Sequence, residues 1–245
     1  MNERLSPALS RRALFGAAAL APLAVASPAR AETAHERQMR EDFPWLGRYA
    51  ADNAALIASG KPVGVVFMGD SITEGWRDKH PAYFAAGTGR VCRGIGGQTT
   101  PQMVLRMMAD VVWLKPRAVH IMAGTNDIAG NTGPMTRRQS EDNLRMMTEV
   151  VRAAGIDVLL ASIPPSAGFP WRPGLEVTTP IRAINAWIEG YAAGVGATWV
   201  DYHAVLADAR GGMKPGMAYD GVHPTEQGYA AMESALTPLI AGYGV

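Results

Sequence analysis

The chain carries one cysteine, Cys92, in 245 residues. No intramolecular disulfide can form, and no thiolate cluster exists to hold zinc or an iron–sulfur centre. Runs of lysine or arginine are missing as well, and the formal charge is only +1. A phosphate backbone would find no basic track here, which removes nucleic acid from the expected partners. The apolar stretch from Gly16 to Ala26 falls short of the roughly 20 residues that span a bilayer, so stable membrane insertion is not expected. Internal repeats, low-complexity tracts and any linker dividing residues 32–245 are also lacking.

What is present is apolar content of 48%, enough for one substantial core, and the length favours one domain. The first residues read as an export signal. Arg11-Arg12 with Leu14-Phe15 precede a short Ala-rich apolar region, and Ala29-Arg30-Ala31 supplies a small-residue cleavage site. The paired arginines match a twin-arginine signal over residues 1–31. The expected mature domain is 32–245, slightly acidic, and periplasmic or secreted.

Five nearly continuous apolar runs, at 63–68, 91–95, 118–123, 158–162 and 198–201, read as buried strands. Helical patterns occupy 101–113, 137–154, 181–193 and 226–240, with an extra N-terminal helix over 41–57. In the helix at 101–113, Met103, Val104, Met107, Met108 and Val111 mark the expected buried face. Strands alternating with helices imply right-handed crossovers and a five-stranded parallel sheet in a three-layer α/β/α sandwich. Ligands of such sheets bind beyond the carboxyl ends of the strands, so the chemistry is sought in the loops after each apolar run.

The first of those loops holds Gly69-Asp70-Ser71, which places a serine hydroxyl at the sheet edge and its amide at a helix start. A serine needs a base to take its proton. His223 is favoured, because Asp220 lies three residues earlier on a Gly-containing turn and can accept the imidazole Nδ1 proton. His203, two residues after Asp201, is the runner-up, and His120 inside a strand reads as a core residue. Three donors could serve a tetrahedral oxyanion: the Ser71 amide, the Gly97 amide and the Asn126 side chain. Aromatic walls for a substrate are expected from Trp76, just after the nucleophile turn, and from Phe169 and Trp171 in the proline-rich loop 164–173.

Four ordered blocks, Met68-Gly69-Asp70-Ser71, Gly94-Ile95-Gly96-Gly97, Gly124-Thr125-Asn126-Asp127 and Asp220-Gly221-Val222-His223-Pro224, resemble those of the SGNH hydrolases, the GDSL-like lipases and esterases. The Gly-Ile-Gly-Gly form is similar to the branch of platelet-activating-factor acetylhydrolase catalytic subunits and bacterial acetylesterases. The resemblance implies a flavodoxin-like sheet, Ser71 as nucleophile, His223 as base, Asp220 as its orienting acid, and Ser71, Gly97 and Asn126 as oxyanion donors, with no cofactor and no metal. It thereby selects His223 over His203. The expected substrate is a small-molecule or glycan ester with a short acyl group. Interception of the acyl-enzyme by a sugar hydroxyl would make the same site an O-acyltransferase, and a site without turnover would be a carbohydrate-binding protein. Oligomeric state is not legible in the sequence.

Overall fold

The computed structural model describes residues 31–244. The expected export signal therefore lies outside the described residues, apart from Ala31. Five strands form one sheet: β1 (Val65–Gly69), β2 (Arg90–Gly94), β3 (Ala118–Met122), β4 (Asp157–Ala161) and β5 (Thr198–Val200). All pairings are parallel and the spatial order is β2-β1-β3-β4-β5, the flavodoxin-like arrangement. Each strand lies within two residues of its expected bounds, because a continuous Val/Ile/Ala run is buried on both faces and has little freedom of register. β1 and β3 at the sheet centre are buried along their whole length.

The helices among the described residues are α1 (Ala34–Glu41), α2 (Ala50–Ser59), α3 (Ser71–Lys79), α4 (Thr100–Asp110), α5 (Thr125–Ala129), α6 (Arg137–Ala153), α7 (Thr178–Val195), α8 (Tyr202–Leu206) and α9 (Glu226–Ile240). None of them is long and apolar enough to cross a membrane. The pattern read as one helix over 41–57 is instead a helix, a turn and a second helix. Pro44 cannot donate a backbone hydrogen bond, and Trp45 stands in the left-handed region at φ 55°. The Asp42 carboxylate holds this turn by accepting from the Leu46 and Gly47 amides at 2.8 Å each.

The buried stripe of α4 also differs from the expected one. Met103, Arg106, Met107 and Asp110 face inward, whereas Met108 is 47% exposed. These four are spaced as one helical face, but two of them are charged, so apolarity alone misplaced the stripe. α3 and α9 cover a cluster of rings. Trp76 stacks between Tyr83 and Tyr229, with Phe67 set edge-on to it. Tyr229 Oη donates to the Ile72 carbonyl at 2.8 Å, and Glu233 Oε1 accepts from Trp76 Nε1 at 2.8 Å. Glu233 Oε1 also lies 2.8 Å from His80 Nδ1, so α9 is bonded along α3.

Candidate active site

Ser71 is the first residue of α3, directly after β1 and the N-cap Asp70. A first-turn amide has no carbonyl partner within its own helix, so the Ser71 N–H is free to donate outward. The close approach of α3 to the sheet dictates two glycines. A Cβ on Gly69 would stand 2.1 Å from Thr73 Oγ1, and one on Gly94 would stand 2.2 Å from the Glu74 backbone nitrogen.

The loop from Met217 to Thr225 brings His223 to the same edge. It folds back on itself through Tyr219 N–H to His223 O at 3.1 Å and Thr225 N–H to Met217 O at 2.9 Å. Gly221 at φ 86° makes the turn possible. The two oxygens of Asp220 divide their work. Oδ1 accepts from the Val222 and His223 amides at 2.9 and 2.8 Å, which fixes the loop. Oδ2 lies 2.7 Å from His223 Nδ1, and His223 Nε2 lies 2.9 Å from Ser71 Oγ. A carboxylate can only accept, so the proton sits on Nδ1 and Nε2 is left as the acceptor for the serine hydroxyl. Burial works to raise the Asp220 carboxyl, but the bonds from the His223 amide and imidazole and from Val222 outweigh it and hold it below the ordinary carboxylate range. Thr225 caps α9 by accepting from the Gly228 amide.

Asn126, in the first turn of α5, is 3% exposed. Its carbonyl oxygen accepts from Asn131 Nδ2 at 2.8 Å, which sets the orientation of the amide. Its Nδ2 donates to the Gln98 carbonyl at 3.0 Å and makes a longer contact of 3.3 Å to Asp70 Oδ2. The weaker bond is the one an oxyanion could displace. Gly97 stands at φ 76° in an exposed loop, and its N–H has no acceptor among the described residues. Glu74 holds this loop by accepting from the Gly96 amide at 2.8 Å while its other oxygen meets Arg48 at 3.0 Å.

Beneath the loop lies a support that the sequence reading missed. Arg106, fully buried, donates to Gln98 Oε1 at 2.7 Å, to the Gly69 carbonyl at 3.0 Å and to Asp110 at 2.9 Å. One guanidinium thus ties the end of β1 to the loop that holds Asn126. Asp70 is also enclosed. Burial pushes its carboxyl up to about 6, against the bond from Ile72 and the nearby His223.

The expected aromatic walls separate. Trp76 is completely buried in the ring cluster under α3 and presents no surface to a substrate. Ile72 and Trp76, four apart on one helical face, carried the signal for that burial. Phe169 is 2% exposed and stacks under Trp171 at 5.1 Å between ring centroids. Trp171 alone of the three is open, at 38%, with its ring 6.0 Å from that of His223. Tyr219, not singled out from the sequence, lies at 5.7 Å from the imidazole and is 65% exposed. His203 is bonded by its amide to Ser162 Oγ, while the Ser71 hydroxyl meets His223 instead. His120 is fully buried, pairs with Tyr202 Oη at 2.9 Å and is pushed down to about 3 by burial.

A five-stranded parallel sheet with this serine at the end of its first strand is the architecture of an α/β acylhydrolase. The chain belongs to the GDSL-like lipase/acylhydrolase family, whose model matches residues 67–231, and it is an ester hydrolase. It is similar to a GDSL-like lipase from Bacteroides thetaiotaomicron, with 40% identity and a TM-score of 0.77 over 82% of this chain and 99% of that one. A structure from Bacteroides fragilis is 39% identical, with a TM-score of 0.77 over 82% and 98% of the two chains. The lipoprotein YqeF of Bacillus subtilis is 40% identical over 75 residues, which is 29% of this chain and 31% of that protein's length.

Proposed function

We propose that the protein is an exported serine esterase that removes short acyl groups, acetyl foremost, from O-acylated carbohydrate. The observation that carries this reading is the continuous relay from Asp220 through His223 to Ser71, at 2.7 and 2.9 Å. His223 Nε2 takes the hydroxyl proton as Ser71 Oγ attacks the ester carbonyl. Asp220 keeps the tautomer and favours the imidazolium that forms. The carbonyl oxygen becomes an oxyanion facing the amides of Ser71 and Gly97 and the side chain of Asn126. Collapse expels the alcohol, protonated by His223, and leaves an acyl-serine. Water, deprotonated by the same imidazole, releases the acid and restores Ser71.

The leaving alcohol must meet His223 to receive its proton, so the groups around that ring select the alcohol half. Trp171 and Tyr219 offer open aromatic faces there, a surface suited to stacking on a sugar ring. Export rests on the pattern of residues 1–31 and on the likeness to a lipoprotein over a short segment. The test is turnover of 4-nitrophenyl acetate and of an acetylated sugar by wild type and Ser71→Ala. Activity surviving in Ser71→Ala would remove the serine mechanism.

A further inference from the structure

The segment before the family-matched region builds part of the cleft. A cavity of about 180 Å3 is lined by Met39, Trp45, Gly97, Gln98, Asn131 and Thr132, and so opens directly beside an oxyanion donor. Its N-terminal wall is fastened in place. Gln102 Nε2 donates to the Phe43 carbonyl and Gln98 Nε2 to the Pro44 carbonyl, both at 2.8 Å. Trp45 follows in its left-handed conformation, secured by the Asp42 turn, with its indole 39% exposed. A bulky residue held at positive φ is costly and persists only where the surroundings enforce it. Gln38, the third glutamine in the lining, likewise donates to backbone, at the Asp42 carbonyl, and His35 is the one ionisable group among the described lining residues.

We propose that this cavity receives the acyl group and that Trp45 sets the acyl length the enzyme accepts, an inference that rests on the esterase reading above. In the adduct on Ser71, the leaving oxygen faces His223 and the oxyanion faces Gly97 and Asn126. The acyl substituent takes the remaining arm, which points to neither the imidazole nor the oxyanion donors, and the cavity beside Gly96, where a Cβ would lie 3.7 Å from Ser71 Cβ, is the space assigned to it. At about 180 Å3 the space accommodates a short acyl chain, and a longer one would have to pass its indole wall. Met39 and the indole supply its apolar surface. Acyl choice and alcohol choice then reside in different walls, Trp45 for the first and Trp171 with Tyr219 for the second.

The experiment compares kcat/KM for 4-nitrophenyl acetate, butyrate, hexanoate and octanoate in wild type, Trp45→Gly, Trp45→Phe and Trp171→Ala. Glycine adopts the backbone of residue 45 freely, so Trp45→Gly removes the wall without adding strain. Its octanoate-to-acetate ratio should rise at least tenfold, within the range a pocket wall commands. Trp45→Phe should move the ratio the same way by less. Trp171→Ala should leave it unchanged while altering the preference between acetylated sugar and aryl acetate. A ratio within twofold of wild type in active Trp45→Gly, or in Trp45→Phe should the glycine variant fail to fold, would overturn the assignment. A wild type that turns over none of the esters would remove the esterase reading and this inference with it.

Discussion

Replacing Asp70 with asparagine separates two duties of that residue. The carboxylate caps α3 by accepting from the Ile72 amide at 2.9 Å, a role an asparagine carbonyl can also fill. Its charge is another matter, because burial raises the carboxyl from 3.8 to about 6. That displacement corresponds to about 3 kcal/mol disfavouring the ionised form in the folded protein. In the unfolded chain the group ionises near its ordinary value, so between pH 4 and 6 the folded state binds more protons. Wild-type stability from this residue is therefore fully present below pH 4 and is lost as pH rises through about 6. Asp70→Asn lacks this dependence. Its amide also sets a donor toward Asn126 Nδ2, where the carboxylate now accepts at 3.3 Å, costing about 1 kcal/mol at every pH. Stability of Asp70→Asn relative to wild type should climb by about 3 kcal/mol from pH 4 to pH 7.5, measured by urea unfolding at each pH. A difference that stays flat with pH would refute an elevated Asp70 and the enclosure argued for it.

Four further outcomes are expected. His223→Ala should lower kcat by a factor on the order of 10³ or more, and His203→Ala by far less; the reverse order in steady-state assays would reassign the base. Asn126→Ala should lose roughly 3 kcal/mol of transition-state stabilisation, chiefly in kcat, and unchanged kcat would remove it from the oxyanion site. Gly94→Ala should be destabilised by at least about 3 kcal/mol in thermal or urea unfolding, since its Cβ would stand 2.2 Å from the Glu74 backbone nitrogen; a variant as stable as wild type would contradict that packing. N-terminal sequencing of exported protein should begin at Glu32, and full-length protein held in the cytoplasm would count against the signal at residues 1–31.

The strands and the loops that meet at the sheet edge were legible because each follows from a local rule, while the choice of His223 over His203 came from the family resemblance. A continuous apolar run marks a buried strand, and the loop after it marks the ligand edge. The groups that position them were not legible, because their partners are remote in sequence. Arg106 and Asp110 stand four apart on a helix, the spacing of an ordinary surface ion pair, yet both are buried, and the arginine reaches Gly69, 37 residues away. The turn at Asp42–Gly47 was overlooked because residues 41–57 are helical in composition, and only Pro44 hinted at the break. Trp76 was misplaced for a different reason. Proximity to Ser71 in sequence is not proximity to the substrate, because five residues on a helix carry a side chain well around from its starting face.

The bonds between α3 and α9 set what can vary in this enzyme. Tyr229 and Glu233 tie the helix that begins with Ser71 to the helix that follows His223, so these two residues, 152 apart in sequence, ride on one framework. Trp45 and Trp171 come from loops outside that framework. Under the mechanism proposed above, substrate range would drift there through loop exchange or selection while the proton relay is inherited intact, which makes those two loops the natural targets for directed evolution.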